Sequence, residues 1–578
     1  MAERRRLKHW GWGYEDQQRP QHEIDQAAGG IRAMFGFGGE PLPALPLEQA
    51  DIRAPRLKAP AASEGGTADA GGSQGLFTDD LHERAVHSLG KAYRDIVRGH
   101  RGEFPCPPDL VAFPQDEAGV TEVFERAAEW GAAIIPFGGG TSVVGGVEPR
   151  LDDEERPTIS LDLSRLDTVF EVDRESLAAR MAAGLRGPAL EDRLRAEGLT
   201  LRHYPQSFEY ATLGGWIATR AGGHFATGET HIDDLVESVR AITPSGEWQS
   251  RRLPGSGAGP SPDRMLIGSE GTLGVITEAW MRVRPRPVFK ASATVEFPDF
   301  PAAATGAVRA IAQSRLGPSN CRLIDPLEAV TMGAGDGNAT LLLLGFESAD
   351  LPVDGPLDQA VEIATGHGGM LVSRKVVEPK RYRESDNMQK NMQDSVSHTT
   401  SDGDTGQSGS SGADLWRNAF LMAPYLRDSL VSCGVLSETF ESAITWDRFE
   451  DFHAEVSETT RRAVAEVGGA PAEGEGSPRI SCRLTHVYPD GAAPYFTVIA
   501  PAVRGGEVEQ WDEIKVAASE AIIRSGGTIT HHHAVGRDHR PWYDRQRPDA
   551  FAAALGAAKG ELDPASMLNP GVLIDPVA

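Results

Sequence analysis

Three glycine-rich segments between Pro136 and Thr277 constrain this chain more than any other feature. They are Pro136-Phe137-Gly138-Gly139-Gly140-Thr141-Ser142, then Ala211-Thr212-Leu213-Gly214-Gly215-Trp216-Ile217-Ala218-Thr219-Arg220-Ala221-Gly222-Gly223, then Ile267-Gly268-Ser269-Glu270-Gly271-Thr272-Leu273-Gly274-Val275-Ile276-Thr277. Each adjoins an apolar, β-branched stretch, where backbone must turn sharply or approach something closely. In the first, successive glycine N–H groups can point into one concavity and the two hydroxyls add donors, which makes a nest for phosphate or pyrophosphate. A purely structural tight turn is the alternative. The spacing fits neither G-x-G-x-x-G nor a P-loop, which disfavours Rossmann and kinase-type nucleotide sites. Three such loops together point to an extended ligand lying across several loop ends, as a dinucleotide would.

Around the loops, short apolar runs alternate with helical periodicity. Strands are expected at Asp109–Pro114, Ala132–Pro136, Thr158–Leu163, Thr168–Val172 and Ala179–Ala182, and helices at Glu117–Gly131 and Gly187–Glu197. That alternation indicates a layered α+β or α/β domain over residues 103–287. Upstream, a Trp- and Gly-rich arm (residues 1–58) precedes a low-complexity linker, Ala59–Gly75, too poor in apolar residues to fold alone. Leu76–Gly99 reads as a helix within a helical segment, 76–102. Residues 288–510 read as a second α+β domain, interrupted by the polar stretch Ser395–Ala413, a surface loop or alternatively a lid. A last segment, 511–578, carries a helix to Arg524 and then His531-His532-His533.

Composition removes several functions. Lys plus Arg number 57 against 83 Asp plus Glu, a net charge of −26, which opposes nucleic-acid binding and electrostatic docking on anionic lipid. The apolar run Leu341–Phe346 falls far short of the ~20 residues a membrane helix needs. No apolar stretch of a secretory signal follows the basic N-terminus. Four scattered cysteines without a C-x-x-C imply neither a disulfide framework nor a zinc ribbon. The reading is a reduced, cytoplasmic enzyme.

The order of the three loops resembles the FAD-binding domain of the vanillyl-alcohol oxidase superfamily. The resemblance implies an α+β fold: a two-part FAD-binding domain, an α+β cap and a helical N-terminal arm. It places FAD contacts on Pro136, Phe137, Gly138, Gly139, Gly140, Thr141 and Ser142, and on Gln206, Ser207, Thr212, Gly214, Gly215, Thr219, Arg220, Ala221 and Gly222. Others fall on Glu270, Gly271, Thr272, Leu273, Gly274, Val275 and Ile276. Members with covalent flavin use His, Tyr or Cys near the first loop or in the cap. Here Val143 and Val144 follow the first loop, so the FAD is expected to be non-covalent.

Further motifs follow in an order similar to the alkyldihydroxyacetonephosphate synthase family, flavoenzymes of ether-lipid synthesis. They are Lys8-His9-Trp10-Gly11-Trp12-Gly13-Tyr14-Glu15-Asp16, Cys321-Arg322-Leu323-Ile324-Asp325, Pro424-Tyr425-Leu426-Arg427-Asp428, Glu438-Thr439-Phe440-Glu441-Ser442, Ser481-Cys482-Arg483-Leu484-Thr485, Gly491-Ala492-Ala493-Pro494-Tyr495-Phe496 and His531-His532-His533-Ala534-Val535-Gly536. The resemblance implies exchange of the acyl group of an acyl-dihydroxyacetone phosphate for a long-chain alcohol, through a flavin N5 adduct and without net oxidation. It makes lipids the partners, and leaves open a homodimer and peripheral contact with a membrane.

By family position, Arg427 and Arg322 bind substrate, and a guanidinium fork suits a phosphate. Each could instead form a structural salt bridge, Arg427 with Asp428 for instance. Tyr495 matches a proton donor and acceptor. A phenol titrates near 10, so it needs a cationic or hydrogen-bonding neighbour, which the histidines could supply. His531, His532 and His533 are catalytic candidates, His533 foremost. On an extended segment His531 and His533 would share one side. Structural burial and metal chelation are the alternatives for the triplet, and no metal is assigned because no third ligand stands at a suggestive spacing. Trp10 and Trp12, beside Arg4-Arg5-Arg6, either touch a membrane interface or dock on the cap. Ala534 replaces a family Gly, and Asp563–Gly571 resembles the tail of D-lactate dehydrogenases and glycolate oxidases. A flavin-dependent D-2-hydroxy acid dehydrogenase or oxidase is therefore the second reading.

Overall fold

A computed structural model of the protein describes residues 5–17, 21–60, 75–377, 425–468 and 476–575. The Ser395–Ala413 insertion and most of the Ala59–Gly75 linker lie outside the described residues. The first unit has two sheets. In one, Leu110–Ala112, Thr158–Asp162 and Ala133–Phe137 pair in parallel, with Phe77–Thr78 antiparallel at the edge. The parallel strands are buried on both faces: Leu110, Ile134, Ile159 and Leu161 are fully buried, and so is Ser160 between the last two. The helix Glu117–Trp130 covers one face with Val120, Val123, Phe124 and Ala127, a stripe at helical spacing. Asp116 caps its start by accepting the Gly119 N–H at 2.9 Å, and Gly131 ends it at φ +63°.

The second sheet is antiparallel, in the order Val169–Asp173, Ala178–Ala182, Val275–Arg282, Val236–Thr243, Gly246–Gln249. The end of the chain returns to the first sheet. The Ile134 N–H donates to the Met567 carbonyl at 2.7 Å and the Asn569 N–H to the Ile134 carbonyl at 2.8 Å, so the tail pairs along the otherwise open edge.

The cap is one antiparallel sheet in the order Met370–Val377, Phe289–Phe297, Thr340–Ser348, Asn320–Ile324, Arg479–Val487, Gly491–Pro501, Val435–Glu441, with Ile444–Thr445 added beside Gly491–Pro501. Helices Phe449–Gly468 and Glu507–Arg524 pack together and against it. The second begins before residue 511 and buries Trp511, Ile514, Ala518, Ala521 and Ile522 in the cap core. The Trp511 indole donates to Glu438 at 2.5 Å. The cap therefore continues to Arg524, and only beyond it does the chain cross back.

Leu76–Gly99 is not one helix. It holds the strand Phe77–Thr78 and two helices, Leu81–Val86 and Tyr93–His100. The break falls at Gly90, where a Cβ would collide with the Ser142 carbonyl oxygen and where the Lys91 N–H bonds that same oxygen at 2.6 Å. Among the described residues no helix is long and apolar enough to cross a membrane.

Candidate active site

The first two glycine loops are fitted into each other. A Cβ on Gly139 would strike the Tyr210 carbonyl oxygen, and one on Gly138 would strike the Thr212 hydroxyl. Thr212 caps the helix Leu213–Thr219, accepting the Gly215 N–H at 3.3 Å. The N–H groups of Gly138, Gly139, Gly140 and Thr141 donate to no acceptor among the described residues, and these residues line a cavity between the two units. Unused backbone donors beside a hydroxyl are the set that a pyrophosphate takes. The buried Asn569 Oδ1 on the same wall also lacks a partner among the described residues. The site thus fits a dinucleotide such as FAD.

Of the expected cofactor contacts, Pro136 through Ser142, Gln206, Ser207, Thr212, Gly214, Gly215, Thr219, Ala221, Gly222, Glu270, Gly271, Gly274, Val275 and Ile276 line this cavity. Arg220, Thr272 and Leu273 do not. Arg220 ends its helix in the left-handed region at φ +53° and turns away to pair with Asp233 at 2.9 Å. Thr272 is buried with its hydroxyl on the Ser269 carbonyl at 2.7 Å, and Leu273 belongs to the core of the second sheet. Val143 and Val144 offer no nucleophile.

On the cap side, Arg322, Arg427, Tyr495, His532 and His533 line the same cavity. Arg427 lies in the helical residues 425–432 and donates to the Lys91 carbonyl at 3.1 Å. It forms no ion pair with Asp428, whose carboxylate accepts the Trp12 N–H at 2.9 Å. Burial, then the charge of Arg483, lowers Arg322 to about 10. Tyr495 is buried on the strand Gly491–Pro501, with the Arg483 guanidinium carbon 3.8 Å from its ring centroid. Its ring stacks on His532 at 6.1 Å and meets His533 edge-on at 5.6 Å. Arg483, which also lines the cavity, bonds the buried Glu328.

The histidine triplet is not extended; its residues bend around one carboxylate. Glu441 accepts the backbone N–H groups of His531 at 2.5 Å, His532 at 3.1 Å and His533 at 3.0 Å, and the Thr530 hydroxyl at 2.6 Å. His532 and His533 therefore face the cavity together, while His531 does not line it. The His531 ring contacts Tyr488, His231 and His486 instead. Burial alone would raise the Glu441 carboxyl, but the surrounding imidazoles and the Thr530 hydroxyl outweigh it and hold Glu441 well below the usual range. Burial in turn keeps His531 and His533 well below theirs. Glu441 had no site role in the sequence reading. Its signal was an acid at either end of Glu438-Thr439-Phe440-Glu441 inside an apolar strand.

The N-terminal arm belongs to the site too. Trp12 is 5% exposed, packs on Tyr210 and lines the cavity, and Trp10 meets His100 edge-on at 5.1 Å. Gly11 sits at φ +68° where a Cβ would strike the Asp428 carboxylate. Arg5 pairs with Asp16 at 2.8 Å. The arm thus docks on the protein through Trp10 and Trp12, while the Arg5 side chain stays exposed.

Fold and cavity define an FAD-binding enzyme of the two-domain FAD-linked oxidase class. The sequence profile of the family described as "FAD binding domain" matches residues 108–250, and that of "FAD linked oxidases, C-terminal domain" matches residues 286–573. An alkyldihydroxyacetonephosphate synthase of Caenorhabditis elegans is 32% identical over 86% of this chain and 81% of its own. A solved alkyldihydroxyacetonephosphate synthase superposes with a TM-score of 0.74 at 25% identity, over 98% of each chain. A mitochondrial D-lactate dehydrogenase of Arabidopsis thaliana is 24% identical over 86% of this chain and 78% of its own. The chain belongs to the alkyldihydroxyacetonephosphate synthase family.

Proposed function

We propose that this enzyme exchanges the acyl group of an acyl-dihydroxyacetone phosphate for a long-chain alcohol. The observation that carries the reading is the convergence of Arg322, Arg427, Tyr495, His532 and His533 on the cavity that the three glycine loops line. Arg427 and Arg322 supply the phosphate anchor, a guanidinium pair matched to a dianion. Apolar chains have Phe35, Met332, Leu426, Leu430 and Ile499 along the same cavity. Tyr495 takes and returns the proton at the substrate's reacting carbon, with the Arg483 cation under its ring favouring the charge that develops on the phenol. His532 and His533, held neutral by burial, can accept the proton of the incoming alcohol, and the ionised Glu441 beside them stabilises the imidazolium that results. FAD, when bound, supplies a ring that can hold and release the substrate carbon with no net change in electrons.

The flavin is proposed to be non-covalent, because valines follow the first loop. Yellow colour that separates from denatured polypeptide checks this. A cytoplasmic setting and surface contact with a membrane that holds the lipid substrates belong to the same proposal. The test is anaerobic incubation of the FAD-loaded protein with labelled alcohol and acyl-dihydroxyacetone phosphate. Ether product without an electron acceptor supports the reading. Reduction of the flavin by D-lactate or D-glycolate with no ether formed would establish the dehydrogenase instead.

A further inference from the structure

Acyl-for-alkyl exchange has a consequence for protons. The ester C–O bond breaks and an ether C–O bond forms, no electrons are gained or lost, and the products are the ether and a carboxylic acid. Carboxyl groups titrate near 4, so at neutral pH each turnover leaves one proton in solution. That proton starts on the alcohol, inside the cavity, and must get out.

We propose that His531 and Tyr488 conduct it, along the hydrogen-bonded chain His532–His531–Tyr488, from the cavity to the protein surface. This rests on the exchange reaction proposed above. His532 lines the cavity, and its Nδ1 lies 3.1 Å from Nδ1 of His531. The other ring nitrogen of His531, Nε2, lies 2.7 Å from the Tyr488 hydroxyl, which in turn is 3.0 Å from the Thr230 hydroxyl. Each separation is a hydrogen bond. Tyr488 is half-buried, and the next two residues, Pro489 and Asp490, are exposed.

An imidazole relays a proton by accepting at one nitrogen and releasing from the other, and His531 has both nitrogens in the chain. A proton delivered to His532 passes to Nδ1 of His531, the Nε2 proton passes to the Tyr488 oxygen, and the phenolic proton leaves to water or buffer. Burial leaves His531 neutral with a lone pair to offer, and raises Tyr488 to about 12, so the phenol acts as a hydroxyl bridge and does not ionise. The geometry is fixed from several sides. The His531 N–H is held by Glu441, its carbonyl accepts from His231 Nε2 at 3.0 Å, and its ring lies between those of His231 and His486 at 4.5 and 4.9 Å. This gives a role to the one histidine of the triplet that does not reach the cavity.

His486, His531 and His532 also offer nitrogens within 4.8 Å of one another, as a metal ion would need. The contacts favour the chain. His531 spends its nitrogens on His532 and Tyr488, and His486 Nε2 is on the Gly223 carbonyl at 3.1 Å.

The test follows ether formation and proton release together, with a pH indicator in weakly buffered solution and FAD-loaded protein. Wild type should release one proton per ether. Tyr488→Phe keeps the ring and the fold but removes the bridge. Its turnover in weak buffer should fall by about 10²-fold, the low end of what one positioned proton-transfer group supplies. Added imidazole buffer should restore it, with flavin content unchanged. His531→Gln should behave alike. In wild type, a bowed dependence of rate on the D2O fraction is expected for several protons moving in a chain, and this reading does not depend on any variant folding.

If wild type forms no ether, the exchange reaction itself is wrong and the chain falls with it. If ether forms but Tyr488→Phe matches wild type in weak buffer, or loses activity that imidazole does not restore, or the D2O dependence is linear, only the chain is overturned. Loss of wild-type turnover on chelation, restored by zinc, would overturn it in favour of a bound ion.

Discussion

Replacing Glu270 by Gln should remove a defined part of the protein's pH dependence of stability. Glu270 stands on the third glycine loop at φ +50°, is 8% exposed, and accepts the Val535 and Gly536 N–H groups at 2.9 Å each. It thereby ties that loop to the segment following the histidine triplet. Burial raises its carboxyl from 4.5 to about 7, against the pull of the two N–H groups and Arg537. With the folded value above the unfolded one, its contribution to stability is complete below pH 4.5, declines as pH rises, and is gone at about pH 7. At roughly 1.4 kcal/mol per pH unit, that rise amounts to about 3 kcal/mol. Gln cannot ionise. The difference in unfolding free energy, wild type minus Glu270→Gln, should therefore fall by about 3 kcal/mol between pH 4.5 and 7 and stay level above. Urea unfolding of the FAD-loaded proteins over this range measures it, and the other titrating groups cancel in the difference. Parallel curves for the two proteins would refute the reasoning, for they would mean that Glu270 is already ionised in the folded protein.

Arg427→Ala should weaken binding of phosphate-bearing substrate by roughly 2–5 kcal/mol, seen as a raised KM, while the flavin absorbance of the purified protein is unchanged. Tyr495→Phe should lower kcat by about 10²–10⁴-fold with FAD retained, and a kcat equal to wild type would remove Tyr495 from proton transfer. Glu441→Gln turns an amide NH2 towards one of the donors that the carboxylate now satisfies, an unpaired buried group worth about 1–3 kcal/mol. A lower Tm and a lower kcat should appear together, since the same bonds shape the turn that aims His532 and His533.

Local chemistry was readable from the chain. The Glu117–Trp130 helix follows from its apolar stripe between Asp116 and Gly131, and the glycine loops follow from residue types that only a close backbone approach requires. The misreadings share one cause, which is distance along the chain. Apolar spacing runs through Leu76–Gly99 without interruption, and what breaks it is the Ser142 carbonyl against Gly90, a contact that periodicity cannot contain. Arg220, Thr272 and Leu273 sit inside true cavity motifs, yet a motif is contiguous while a loop alternates its faces, so these three turn to Asp233 and to the interior. The expected boundary at residue 510 falls inside the helix Glu507–Arg524, whose Trp511 and Ile514 pack in the cap core against strands far upstream.

The histidine triplet shows why a set of site residues can be legible when their arrangement is not. As an isolated strand it would have split His532 from its neighbours. What decides its shape is Glu441, ninety residues upstream, whose carboxylate collects three successive N–H groups that a strand would direct alternately to opposite edges. One buried acid thus converts an alternating segment into a turn, with two imidazoles on the cavity beside Tyr495 and the third behind them against Tyr488. The same holds for the arm, where Gly11 and Trp12 mean little until Asp428 is beside them. That contact ties the arm to the helical residues that carry Arg427, so the docked arrangement of the arm rests on a carboxylate more than four hundred residues downstream.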